Sequence, residues 1–102
     1  YIQRYEAKHG IGSYSTFGSH AWDAWLILTP ARERALKRAD PARDLAAFRA
    51  ALRDEIEATR NLVATHGVFT FSREDHLGLR FEDAAVMVRV ENGRWKLERT
   101  FR

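Results

Sequence analysis

The stretch from residue 17 to residue 28 reads FGSHAWDAWLIL, and it places the hardest constraint on the fold. Wound into a helix, Phe17, Ala21, Ala24, Trp25 and Leu28 form one stripe, while Trp22 and Leu26 form the next. A helix apolar over so much of its circumference has to lie between two layers, with Trp22 and Trp25 anchored in a core. Its start falls at Ser15 or Thr16, and its polar continuation (Arg32, Glu33, Arg34, Lys37, Arg38) carries it to about Ala39. Pro30 removes a backbone donor midway, so a kink or break is expected there.

The remaining elements are shorter. Tyr1 and Tyr5, with Ile2, space as a first helix that Gly10 stops. Asp40 and Pro41 suit the cap and first position of a third helix, whose inward stripe is Leu45, Phe48, Leu52 and Ile56. Arg53 and Glu57 make an i,i+4 pair on its wet side, and the helix frays near 59–61. After Gly67 the apolar period changes from 3.6 to 2, and 68–72 reads as a short strand. Residues 84–91 and 94–101 flank Asn92-Gly93, the sequence of a two-residue hairpin turn in which both central residues need positive φ. That turn pairs Val90 with Trp95 and Val88 with Leu97 on a face expected to be buried, and Arg89 with Lys96 on the other. Helix, helix, helix, strand, strand, strand makes an α/β chain whose sheet is too small for its helices.

Composition narrows the function classes. At 102 residues the chain is at most one domain or a piece of one, and it begins at Tyr1, which fits a processed or truncated product. The longest apolar run, Ala24-Trp25-Leu26-Ile27-Leu28, is too short to span a bilayer. The absence of cysteine rules out disulfides and thiolate chemistry. A net charge of +3 invites a nucleic-acid reading, but the arginines are scattered, and the one cluster (Arg32, Arg34, Lys37, Arg38) is interrupted by Glu33. Without a basic stripe or interleaved aromatics, a solvated helix face is the better account, and no nucleic-acid partner is expected.

Ser19, His20 and Asp23 crowd the same stretch and suggest hydrolytic or metal chemistry. On a helix, consecutive residues project about 100° apart, so Ser19 and His20 cannot orient one another as a triad requires. His20 and Asp23 share a face, but a metal site needs further ligands, and His9, His66 and His76 fall on other elements. No catalytic residue, metal or cofactor is expected. Asp23 reads as a solvated or helix-capping carboxylate in the first turns, where the helix dipole favours negative charge, and His20 as a partly buried polar residue beside a cleft. His66 reads as a backbone-bonding residue at a strand start, and His76 as exposed.

Taken in order, several segments form a pattern. They are Tyr5-Glu6-Ala7-Lys8-His9-Gly10, then Ala21-Trp22-Asp23-Ala24, the amphipathic 49–54, Thr65-His66-Gly67-Val68-Phe69 through Ser72, and the strands around 91–97. This series resembles the C-terminal part of type I periplasmic substrate-binding proteins of ABC transporters, the branched-chain amino-acid-type, extracellular ligand-binding receptor group. Trp22 stands where the family usually has Tyr, and the 72–78 turn is less acidic than the usual one. The resemblance implies a fragment of a two-lobed fold: 1–72 mostly in the N-terminal lobe, the last crossover at 73–83, and 84–102 in the C-terminal lobe. It also implies a periplasmic protein, not an enzyme, that captures an amino acid or related small carboxylate between the lobes and delivers it to an ABC permease. Phe17, flanked by Thr16 and Gly18, would stand at the lip of the inter-lobe cleft, with plain core packing as the alternative for Phe17. The groups gripping the ligand's charges would lie outside this chain. The fragment alone would not be ligand-competent, and would form homo-oligomers or swap elements to cover its apolar surface. The rival is a stand-alone cone-shaped domain of the nuclear-transport-factor-2 type, suggested by Gly93-Arg94-Trp95-Lys96, in which His20 or Asp23 would act as a base.

Overall fold

The computed structural model describes residues 1–101 and has the element order α1 (Ile2–His9), α2 (Thr16–Leu36), α3 (Leu45–Glu57), β1 (Leu62–Val63), β2 (Val68–Phe69), α4 (Phe81–Ala84), β3 (Val86–Glu91), β4 (Arg94–Thr100). The chain is mixed α/β, helices first and a hairpin last. Its strands form two separate antiparallel pairs, β1 with β2 and β3 with β4. Among the described residues there is no long curved sheet of the kind a cone-shaped domain needs.

The helical half is organised by α2 and α3. Small residues bring the two helices together: Ala31 and Ala35 are fully buried, and Ala51 nearly so. On the wet side of this crossing, Arg34 Nε donates to Glu55 at 2.6 Å, and Arg38 reaches both Glu55 and Asp54. Pro30 sits inside the helical span of α2 without ending it, and the helix stops at Leu36, one turn short of the expected Ala39. The start of α3 also differs from expectation. Asp40 builds a separate turn by accepting from Ala42 N, whereas Asp44 is the true cap, its carboxylate accepting from Ala47 N. Asp40-Pro41 and Asp44 are both plausible caps in sequence, and only the second is followed by an unbroken helical ladder. On the surface of α3, Arg53 sits 4.0 Å from Glu57 but lies closer, at 2.6 Å, to its neighbour Asp54.

Two strand expectations need correction. The segment 68–72 contributes only Val68 and Phe69, and their partners Leu62 and Val63 gave no periodic signal of their own. Phe71 leaves the ladder and becomes one of the few buried side chains, pressed so close to Gly78 that a Cβ there would stand 2.5 Å from its ring. Gly78 is therefore held to glycine twice over, by this contact and by its positive φ of 67°. The C-terminal hairpin has the expected register, with Val90 opposite Trp95, Val88 opposite Leu97 and Arg89 opposite Lys96. Asn92 and Gly93 have φ of 52° and 73°. A bulge at Met87/Val88 shifts the far end. The hairpin's expected buried face is not buried: every residue of β3 and β4 is exposed.

The expectation of an α2 sandwiched between layers fails in the same way. Trp25 is 61% exposed and Trp22 38%, so neither is anchored in a core, although Trp22 does meet the Tyr1 ring at 5.7 Å. The radius of gyration is 17.5 Å, against about 13 Å for a compact chain of this size. Among the described residues, the outer apolar face of α2 and both faces of the hairpin meet no second layer.

Candidate functional site

The tightest side-chain constellation lies where α2 meets the loop between β1 and β2. Asp23, in the second turn of α2, is 3% exposed, and it and Ser19 are the buried polar residues among those described. Its carboxylate gathers four bonds from two consecutive residues 42 and 43 positions away. Thr65 N and Thr65 Oγ1 donate to Oδ1, each at 2.8 Å, while His66 N (3.0 Å) and His66 Nδ1 (2.7 Å) donate to Oδ2. Burial by itself raises the Asp23 pKa, but the bonds from Thr65 and His66 outweigh it, and the carboxyl is held below the usual carboxylate range. Asp23 is thus neither solvated nor a cap, and His66 is committed to a side chain rather than to backbone. The only local sign of this role is a lone charge inside the apolar run Ala21-Trp22-Asp23-Ala24-Trp25. Nothing near Asp23 in sequence names its partners.

His20, one turn before Asp23, is exposed and stacks on His66 with ring centroids 3.7 Å apart and planes 6° from parallel. Parallel rings at that spacing aim their nitrogens along parallel planes and cannot converge on one ion as they stand. No group of three or more metal-ligating side chains occurs among the described residues. Ser19 Oγ is turned the other way, donating to Thr16 O at 2.8 Å and lying 3.3 Å from the Tyr14 hydroxyl. The Ser-His-Asp proximity in sequence therefore resolves into an Asp-His pair with no serine nucleophile beside it. His76 is exposed, as expected, with Nε2 3.1 Å from Glu57.

Thr16, Phe17 and Gly18 form the first turn of α2. Phe17 is 85% exposed, which excludes core packing for it within this chain, and Thr16 is also exposed. Gly18 has the Tyr1 hydroxyl beside it, 2.8 Å from where a Cβ would stand. The Asp23 bonds, together with a longer contact of Thr65 Oγ1 to Ser19 O at 3.4 Å, tie this first turn to the 64–67 loop.

No family model matches the chain, and no curated protein matches it. Solved structures do. An extracellular ligand-binding receptor from Rhodopseudomonas palustris superposes with a TM-score of 0.80 at 32% identity, covering 96% of this chain and 26% of that one. A receptor described in the same words from Rhodopseudomonas palustris HaA2 gives 0.80 at 31%, covering 95% of this chain and again 26% of its own. A second structure from that strain gives 0.76 at 31%. Over nearly its whole length, then, the chain is similar to a part, about a quarter, of extracellular ligand-binding receptors.

Proposed function

We propose that this chain is the C-terminal part of the solute-binding component of an ABC importer. Such a protein holds an amino acid or related small carboxylate between two lobes and presents it to a membrane permease. The observation that carries this reading is the match of an elongated, open chain to a quarter of a receptor at 32% identity. Its apolar faces on α2 and the β3–β4 hairpin are then surfaces that the other three quarters of such a fold cover. No helix among the described residues is long and apolar enough to cross a membrane, which is compatible with a periplasmic receptor.

In this reading 1–72 belongs mostly to the N-terminal lobe, 73–83 is the last crossover, and 84–102 lies in the C-terminal lobe; Arg102 falls outside the described residues. Phe17, with Thr16 and Gly18 beside it, contacts the ligand at the cleft lip. An aromatic ring 85% exposed on a helix turn fixed from behind by Asp23 suits that task. The test is the coding sequence upstream of Tyr1 together with the polypeptide it specifies. Preceding βα units and saturable amino-acid or carboxylate binding, weakened about tenfold by Phe17→Ala, support the reading. An upstream sequence without such units, or binding indifferent to Phe17→Ala, overturns it or its site.

A further inference from the structure

The Asp23 bonds have a chemical consequence for the loop that makes them. Thr65 N, the Thr65 hydroxyl, His66 N and His66 Nδ1 all point at one carboxylate. A carboxylate only accepts, so the imidazole proton on that side sits on Nδ1, and neutral His66 carries its lone pair on Nε2. Nε2 has no partner among the described residues, and no buried side-chain nitrogen or oxygen there lacks one, so Nε2 is open to solvent. The flat stack on His20 fixes the ring plane.

His66 and Thr65 line a cleft of 400 Å³ whose opposite wall is the 82–86 segment. That volume lies within the range of about 300–1,000 Å³ typical of small-molecule sites. Thr65 spends its hydroxyl hydrogen in the bond it donates to Asp23, so towards the cleft it can act only as an acceptor, and Glu82 on the far wall adds an exposed carboxylate. The Asp83 side chain is engaged by Arg80 at 2.7 Å, while its carbonyl closes on Gly67, where a Cβ would stand 3.0 Å away. With its donors drawn away by Asp23, this loop presents acceptors.

We propose that the cleft receives the protonated amine of a small molecule, with His66 Nε2 as the accepting atom and Glu82 supplying the negative charge. Asp23 is the positioning residue that fixes the tautomer. Phe17 does not line this cleft, so the amine site is separate from the Phe17 contact, although its two walls fall on either side of the last crossover and it rests on the receptor reading to that extent.

The test uses the full-length polypeptide that carries this chain, with ethylammonium chloride as probe and sodium acetate as the opposite-charge control. It is read by NMR on the imidazole nitrogens and the Gly67 and Asp83 amides. Ethylammonium at about pH 7.5 is expected to give a saturable shift of these resonances, and acetate none. Around His66 the charged and titratable groups are Asp23 and His20 on α2, and Glu82 and Asp83 with Arg80 across the cleft. His66→Phe, which keeps a ring to stack on His20, should abolish saturation, and Glu82→Gln should weaken it several-fold. Asp23→Asn should admit the Nε2–H tautomer, visible directly in the nitrogen shifts, with a parallel loss of affinity. If Asp23→Asn disturbs the loop, His66→Phe and Glu82→Gln still decide. No saturation in the unaltered full-length protein, an equal response to acetate, or unchanged binding in His66→Phe overturns the proposal.

Discussion

The α2 junctions and the β3–β4 hairpin are held together in opposite ways. Around α2, the fixing contacts join residues far apart in sequence: Asp23 to Thr65 and His66, and Arg34 to Glu55. In the hairpin every partner is local. Its register runs outward from Asn92-Gly93, and its ion pairs (Lys96 with Glu91, Arg89 with Glu98) cross a single ladder. All of its residues remain exposed. The contrast shows that a correct local register does not bury a face; burial needs another layer, and two strands cannot supply one.

This contrast can be broken from the α2 side first. Asp23→Ala leaves two backbone donors, the Thr65 hydroxyl and the His66 imidazole without their acceptor, at about 2–4 kcal/mol. Its thermal midpoint should fall, and amide exchange should rise at 16–20 and 64–67 while the hairpin amides stay as they were. Equal acceleration in the hairpin would mean that the two regions form one cooperative unit.

Acid reaches the same contact more gently. The folded-state pKa of Asp23 is lowered, so its contribution is complete above the ordinary carboxylate range and is lost as pH falls through the lowered value. A melting series in acid should show this loss, and Asp23→Asn should remove that part of the pH dependence.

From the hairpin side, Gly93→Ala places a side chain at φ 73° and should cost about 1 kcal/mol. Circular dichroism and hairpin amide exchange should register the change, with the Asp23 bonds untouched. The smallest effect is expected from Arg34→Gln. Its guanidinium is 44% exposed on the side-chain scale, so the melting point should drop only slightly, and the difference from the unaltered chain should shrink in high salt.

Much of the architecture was legible from residue pattern. The start of α2 near Thr16, the stop of α1 at Gly10 and the hairpin pairing all follow from short-range rules of capping, glycine conformation and turn type. The Asp44 cap was missed because Asp40-Pro41 offers an equally good local signal. β1 was missed because two residues are too few to show a period. The core of the candidate site was illegible for a different reason. Asp23 and its partners are more than forty residues apart, and an aspartate in a helix reads as solvated until something donates to it. Phe17 lies on the first turn of α2 and is exposed, and its place at a cleft lip comes from the family resemblance, not from any contact within this chain.

By itself the sequence determined the three long helices and the turn and register of the C-terminal hairpin, because those preferences are set by neighbours within a few residues. Tertiary structure alone decided that Asp23 is buried, that His66 keeps its proton on Nδ1 and that His20 lies flat against it. Those outcomes depend on which donors the folded chain brings to one carboxylate. It also decided that Trp25 and the hairpin's valines stay in water, since an apolar face is buried only where a second layer meets it.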